Sequence, residues 1–327
     1  MRLFIIVPMF TASEEEVSAR SAAWTDWYKD QEVGVNGGWE RLRTRYGLDQ
    51  TDALPLLPGR TIVVRPSEPD PVKITLPSFS ETRVGKGLAV RLALLTALDQ
   101  ADREGISARS NAKCVLIDGS GAFDFDNIFK IADLLYGKGD ESPAPIVFGR
   151  RPEDDYGMSD DRKAIEDFEH FALLRGLELS ETRYDGVDGL PPDGQAGCWG
   201  VSLLSLAQLA LSAPGYEIEI DLFSSAMKSG IVPAFSRPLQ MRPRGSSGFG
   251  KSVIPESMQK IGFLEQKIRS NPKRTHEAWQ AFKTAYPGIF ARIPEPYGRA
   301  IENRASPMVR ATLRAVDSGD SPRPALG

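Results

Sequence analysis

Cys114-Val115-Leu116-Ile117-Asp118-Gly119-Ser120-Gly121 is an apolar run that stops abruptly at a carboxylate and passes into glycine-rich chain. Such a run reads as a buried strand with Asp118 at its carboxyl end, and the glycines allow backbone to approach a ligand closely. Shorter runs of the same kind stand at Leu3 to Val7, Thr61 to Val64 and Ile146 to Phe148. Helical patterns lie between them. From Gly87 to Arg103, Leu88, Val90, Leu92, Leu95 and Leu98 recur near the 3.6 period and Gly105 supplies a stop signal; a second helix is expected from about Asp126 to Leu135. Strands alternating with helices predict an α/β domain with a mixed, mainly parallel sheet between helices. Ligands in open sheets of this kind bind beyond the carboxyl ends of the strands, so the loops after Val7, Val64, Ile117 and Phe148 are the ones to search.

The rest of the composition narrows the class. The chain has 327 residues, 41% hydrophobic and 26% charged, the balance of a folded globular protein. No window approaches the roughly 18 uninterrupted apolar residues of a membrane span. The longest apolar stretch, Val201 to Ala213, reads as a core helix. The amino terminus Met-Arg-Leu-Phe-Ile-Ile-Val-Pro lacks the pattern of a signal peptide, which predicts a cytoplasmic protein. Two cysteines, Cys114 and Cys198, read as buried small residues. His170 and His276 stand too far apart for zinc-binding spacing, so any metal is expected on carboxylates. The net charge of −4 is unevenly spread: from Pro238 onward there are 15 Lys/Arg against 7 Asp/Glu, and before it 25 against 37. An acidic body thus carries a basic carboxy-terminal part suited to phosphate or another anionic surface.

This divides the chain into a catalytic domain over residues 1–240, a basic loop and helical extension over 241–315, and a disordered tail over 316–327. Residues 18–59, with Trp24, Trp27, Tyr28 and Trp39, are expected to pack as one or two inserted helices. In the extension, helices are expected at Glu256 to Arg269, Thr275 to Ala285 and Gly298 to Ala315.

Gly245-Ser-Ser-Gly-Phe-Gly-Lys251-Ser252 fits the phosphate-loop pattern G-x-x-x-x-G-K-[ST] letter for letter. A phosphate loop follows a buried strand and opens a long helix, whereas here Gln-Met-Arg-Pro-Arg precedes it and Pro255 follows three residues after Ser252. The reading preferred over an NTPase is a mobile basic loop whose Arg242, Arg244 and Lys251 close on a diphosphate. Its bland alternative is a flexible basic loop.

Several stretches together resemble the family 2 inverting glycosyltransferases of GT-A fold, in their dolichol-phosphate-mannose-synthase-like branch. Ile5-Ile-Val-Pro8-Met-Phe10 with Glu14-Glu-Glu-Val17 is similar to the family's opening strand, proline, aromatic and acidic helix start. Gly85-Lys86-Gly87-Leu-Ala-Val90 resembles its GKG element, and Asp118 stands where its D-x-D begins. Gly149-Arg-Arg, Asp193-Gly-Gln195-Ala-Gly197, Gly215-Tyr-Glu-Ile-Glu-Ile-Asp221 with Gly230, and Arg242-Pro-Arg-Gly245-Ser-Ser247 follow in the family's order over about residues 3 to 250. The chain departs from the pattern at Thr11 and Ala12, at Arg65-Pro66 in place of an acidic pair, at Ser120 in place of the second aspartate, and at Gly248 in place of a lysine.

The resemblance implies a nucleotide-sugar donor held by Pro8, Phe10, Lys86, Asp118, Gly119, Ser120, Arg242, Arg244 and Lys251. It also implies a divalent cation, Mg or Mn, on Asp118, with Asp124 or Asp126 reaching back in place of the missing carboxylate. Displacing a nucleoside diphosphate from a sugar needs charge stabilisation on the leaving group, and a hydroxyl acceptor needs a carboxylate to take its proton. Asp193 is the first candidate for that base and Asp221 the second; as plain surface carboxylates neither has a role. Asp118 has a structural reading too, as a cap on the next helix. The acidic run Glu153, Asp154, Asp155, Asp160 and Asp161 reads as a solvated loop. The expected activity is a soluble enzyme acting on a small-molecule acceptor, with no nucleic acid as partner. Transfer to a polyprenol phosphate at a membrane surface is the second reading, and a nucleotide-sugar-binding protein without turnover is the third.

Overall fold

A computed structural model describes residues 2–8, 22, 26–27, 38–46, 50–57, 60–63, 74–75, 86–103, 111–118, 122–138, 142–152, 160–178, 190–241, 249–267 and 272–303. In chain order its elements are β1 (Arg2–Pro8), α1 (Gly38–Tyr46), β2 (Gln50–Leu57), β3 (Arg60–Val63), β4 (Ile74–Thr75), α2 (Lys86–Arg103), β5 (Ala112–Ile117), α3 (Asn127–Tyr136), β6 (Ile146–Arg150), α4 (Asp160–Gly176), β7 (Cys198–Ser202), α5 (Leu203–Leu206), α6 (Ile218–Lys228), β8 (Ala234–Pro238), α7 (Phe249–Lys267), α8 (Pro272–Ala285) and α9 (Pro287–Phe290), followed by a helical stretch over 295–303. The contacts divide into two units, one of Met1–Met158 with Pro192–Ser247 and one of Ser159–Pro191 with Gly248–Gly327.

Among the described residues the first unit is an α/β sheet of eight strands in the order β4-β3-β2-β1-β5-β7-β6-β8. Both ladders of the central strand β1, to β2 and to β5, are parallel, as is the ladder between β6 and β8. β7 runs antiparallel between β5 and β6, and β3 and β4 form an antiparallel edge. Side chains alternate across a strand. Leu3, Ile5 and Val7 join Val115 and Ile117 in a buried cluster with Leu42 and Tyr46 of α1 and Ile128, Ile131 and Leu135 of α3. Phe4 and Ile6, of the other parity and also fully buried, point to the opposite face, where α2 packs on β1 and β5. Helices thus cover both faces, and the near-continuous apolar character of β1 and β5 follows from burial on both sides.

Three stretches depart from the sequence reading. Residues 18–59 were expected as helices; α1 is one, but Gln50–Leu57 is a strand that fills the open edge of β1. Val201 to Ala213, expected as a core helix, instead ends β7 and continues into the single turn of α5. Its apolar run serves a strand buried between two others, and Ser202 stops that strand by accepting a hydrogen bond at its Oγ from the Ser205 N–H at 3.1 Å, capping α5. Lys251 and Ser252, expected in a loop, lie on α7, which starts at Phe249 and carries Pro255 within it. Gly200 explains how closely α3 lies on the sheet: a Cβ there would sit 2.6 Å from Ile131 Cγ2 and Leu135 Cδ1.

The second unit is helical among its described residues. Phe168 of α4 meets Trp279, Phe282 and Tyr297 edge-on at centroid distances of 4.8, 5.5 and 6.3 Å. All four rings are buried. The segment Ser159–Pro191, placed by sequence order inside the expected catalytic domain, belongs to this unit because α4 supplies the face against which α8 packs. The expected tail over 316–327 lies outside the described residues. No described helix is long and apolar enough to cross a membrane.

Asp167, on the buried face of α4, is pushed up to about 6 by burial, with Lys163 pulling it down, Glu166 pushing it up and Arg292 pulling it down. A carboxyl raised on folding contributes stability that is complete below its unfolded value near 3.8 and is lost as pH rises through about 6. Asp167→Asn is therefore expected to gain stability relative to the parent at pH 8, by about 1–3 kcal/mol, and to lose that advantage toward pH 4. Urea unfolding of both proteins at the two pH values measures it; a gap that does not change with pH refutes it.

Candidate active site

Lys86 opens α2 and is nine-tenths buried. Its ammonium donates to Glu219 Oε1 at 2.6 Å and to Asp118 Oδ2 at 3.4 Å. Burial by itself lowers a lysine, but the carboxylates of Glu219 and Asp118 outweigh it and hold the ammonium above its ordinary range. The cation is permanent at neutral pH. Asp118 stands directly after β5, where the sequence reading put it. Its N–H donates to Gly197 O at 2.7 Å, and its side chain, 22% exposed, is the most open of the three.

Glycines make this meeting possible. A Cβ on Gly197 would lie 2.9 Å from Asp118 Oδ2, so a larger residue would push the carboxylate away. A Cβ on Gly87 would lie 2.5 Å from Ala213 O and 2.8 Å from Gly215 O, so the second glycine of Gly85-Lys86-Gly87 lets α2 start against the loop before α6. That loop is held by Asp221, whose Oδ2 accepts from the N–H groups of Ser212 at 2.5 Å and Ala213 at 2.7 Å, and whose Oδ1 accepts from Ser225 Oγ at 3.3 Å. Arg91 of α2 adds a bond to Ser212 O at 3.1 Å.

Asp221, the second candidate for the base, is fully buried, and its Oδ2 holds backbone. Asp193, the first candidate, is buried too. Its Oδ2 accepts from Arg151 N at 2.9 Å and Nε at 2.8 Å, and its Oδ1 from Arg151 Nη2 at 2.8 Å and Gln195 N at 3.1 Å. Four donors occupy the carboxylate, and its side chain has no exposed surface. A proton acceptor in catalysis needs a lone pair facing the substrate, and this one faces an arginine fork. The pair ties the loop of Gln195 and Gly197 to the end of β6.

Asp126 does not reach back toward Asp118. It accepts from Trp27 Nε1 at 2.9 Å and pairs with Arg41 of α1, while Asp124 Oδ1 accepts from the Asp126 N–H at 2.9 Å and closes the turn before α3. Pro8 ends β1, beside β5 in the sheet. Phe10, Gly119, Ser120, Arg242 and Arg244 lie outside the described residues, as do Glu153, Asp154 and Asp155 of the acidic run; Asp160 and Asp161 begin α4. Lys251 lies on α7, in the helical unit. Glu219 is the residue that the sequence reading missed. Its signal was present in Glu217-Ile-Glu219-Ile-Asp221, but the alternation does not say which acid meets a buried cation.

Among the described residues no three His, Cys, Asp or Glu side chains converge on one point. Asp118, a hard and partly exposed oxygen donor, is the described side chain here that would hold a divalent cation, the other ligands of which would have to be oxygens from outside this cluster. Within the helical unit a cleft of about 150 Å³ is lined by residues that include Arg175, Glu265, Arg274 and Thr275, and by none of the expected site residues.

No protein-family model matches the chain. No curated protein sequence matches it. Among solved structures, the chain is similar to glucosyl-3-phosphoglycerate synthase from Mycobacterium tuberculosis in complex with uridine diphosphate, with 16% identity over 82% of this chain and 80% of that chain and a TM-score of 0.45. The same protein with Mn2+, UDP-glucose and phosphoglyceric acid gives 18% identity over 82% and 80%, again at 0.45. A further structure of that synthase gives 15% identity over 82% and 81%, also at 0.45.

The buried pairs make two expectations. Asp193→Ala leaves the Arg151 guanidinium buried without its partner and is expected to cost about 3–5 kcal/mol, read as a lower urea midpoint with unchanged slope. For Lys86, the single variants Lys86→Met and Glu219→Gln should each destabilise strongly, while the double variant recovers much of the loss, because removing both charges removes the desolvation cost. Strict additivity in that cycle would show that the two do not form a pair.

Proposed function

We propose that this chain is a glycosyltransferase of GT-A plan that moves a sugar from a nucleoside-diphosphate donor to a small-molecule acceptor. The observation that carries the reading is the meeting of Lys86, Asp118 and Glu219. They come from three separate stretches that resemble the family 2 glycosyltransferases, and they converge at the carboxyl end of β5, where an open α/β sheet binds ligands. Within this trio Asp118 keeps the most solvent access and is the residue to face donor phosphates. When bound there, Mg or Mn supplies neutralisation of the leaving diphosphate. Lys86 holds the Asp118 carboxylate from behind and fixes its direction. Arg242 and Arg244, close in sequence after Met241, supply positive charge for the same leaving group.

A second reading is favoured by one observation, the saturation of both Asp193 and Asp221. An acceptor whose attacking oxygen is already anionic needs no base, and a polyprenol phosphate is such an acceptor. Inversion at the sugar carbon with a hydroxyl acceptor would require a base from elsewhere in the chain.

Incubation with a panel of nucleotide sugars, Mg or Mn, and either small acceptors or a short-chain polyprenol phosphate separates these readings. Transfer to one class of acceptor selects it, and donor binding without turnover supports a protein that only binds nucleotide sugars. Asp118→Asn keeps size and removes charge; a metal-holding role predicts at least a hundredfold loss of turnover, on the order of 3 kcal/mol, matched by a chelator acting on the parent. Full activity of the parent in chelator, with loss in Asp118→Asn, would place Asp118 on the ribose instead. Unchanged nucleotide-sugar affinity in both Arg242→Ala and Arg244→Ala at moderate salt would remove the arginines from the donor site.

A further inference from the structure

The cleft of the helical unit opens where α7 and α8 both pack on α4. Ile261, Leu264 and Glu265 stand at i, i+3 and i+4 on α7 and so share one face of it, and Thr275 and Ala278 do the same on α8. Ala172 of α4 and Ala278 bring only a methyl group each to the wall, and the opening measures about 150 Å³. At roughly 30 Å³ per water in the liquid, that is room for about five waters. A nucleotide is too large for it, whereas a single six-membered ring is of the right scale.

Two of the lining side chains are polar and more than nine-tenths buried. Thr275 Oγ1 donates to Glu265 Oε1 at 2.8 Å, which fixes the direction of a carboxylate on a residue that is 8% exposed. Burying a carboxylate costs free energy, yet one is kept here beside Ile261 and Leu264, which are apolar and buried. Arg175, Glu178, Arg274 and Glu277 line the same cleft from exposed positions. Glu178 takes a φ of 60°, two residues past the end of α4, where glycine or asparagine is the ordinary residue. The strained backbone thus belongs to a residue that adds a further carboxylate to the cleft.

The lining combines carboxylates, guanidiniums and an aliphatic wall, with no aromatic ring among the described lining residues. An anion entering it meets the Glu265 carboxylate, and a simple cation meets two arginines. A hydroxyl suits both, because it donates to a carboxylate and accepts from a guanidinium at once. A ring that carries several hydroxyls on a C–H skeleton also covers Ile261, Leu264 and the two alanines. We propose that this cleft is a binding site for one neutral sugar ring, either a free monosaccharide or the end of a glycan. The assignment does not rest on the glycosyltransferase reading, since Lys86, Asp118 and Glu219 do not line the cleft.

The test titrates the full chain with glucose, mannose, galactose and maltotriose, followed by saturation-transfer NMR for affinity and by hydrogen exchange for location. A ligand with so few atoms is expected to saturate at about 1–10 mM. Exchange should slow in peptides covering 172–178 and 261–278, which hold the lining. Arg274→Ala and Glu265→Gln should each weaken binding about fivefold or more. Glu178→Gly should weaken binding while raising Tm, because glycine relieves the strain at that φ. Tighter binding of maltotriose than of glucose assigns the end of a glycan and equal binding a free sugar; either supports the site.

No saturation by any of the four up to about 100 mM overturns the assignment. So does protection confined to peptides of the sheet unit, or tighter binding of inorganic phosphate or glycine than of sugar at the same peptides. Should Glu265→Gln fail to fold, Arg274→Ala and Glu178→Gly decide the matter, since both positions are exposed. Unchanged affinity in those two variants removes the cleft from sugar binding.

Discussion

A lysine ammonium buried at the start of a helix has to be neutralised where it stands, and much of the first unit is arranged around that requirement. Lys86 is drawn out of water by the packing of α2 on the sheet, and Glu219 and Asp118 answer its charge. Each partner brings its own constraint. Glu219 requires α6 to begin beside α2, which the Gly87 contact with the loop of Ala213 and Gly215 allows and the Asp221 bonds to Ser212 and Ala213 secure. Asp118 requires β5 to end at this point and Gly197 to lie against its carboxylate without a side chain. Taking any one of these away leaves an uncompensated buried charge, which costs far more than an exposed ion pair contributes.

The carboxylates of the sheet unit separate into two kinds by their partners. Asp193 accepts from an arginine fork and Asp221 from backbone N–H groups. Asp118 shares one cation with Glu219 and retains a solvent-facing portion. The same residue type is thus a buried loop anchor in two places and a partly exposed partner of a buried cation in the third. The difference lies in how many donors reach it.

The helical unit follows a different logic, with interlocked rings in place of a polar network. Phe168, Trp279, Phe282 and Tyr297 meet edge to face at distances at which aromatic pairs gain beyond their buried area. That cluster recruits α4, which interrupts the sheet unit in sequence. The acids on the buried face of α4 are accepted through i,i+4 partners, with Arg162 on Glu166 and Lys163 on Asp167.

By itself the sequence determined the strands that are buried on both faces and the helices with a clear apolar period. β1, β5, β6, α2 and α3 fall within a few residues of their expected places, since unbroken apolar runs and 3.6-residue spacing are local properties. It also determined that Asp118 stands at a strand's carboxyl end. Tertiary structure alone decided that Gln50–Leu57 pairs with β1, that β7 runs antiparallel between β5 and β6, and that the apolar run after Cys198 is a strand before it is a helix. It alone decided which acid answers Lys86. Glu217, Glu219 and Asp221 look alike along the chain, and only the approach of α2 to α6 puts Glu219 on the cation and Asp221 on the loop. The physical reason is common to these cases: a hydrogen bond or ion pair between residues far apart in sequence is selected by the packing that brings them together, and no local pattern of residues carries that information.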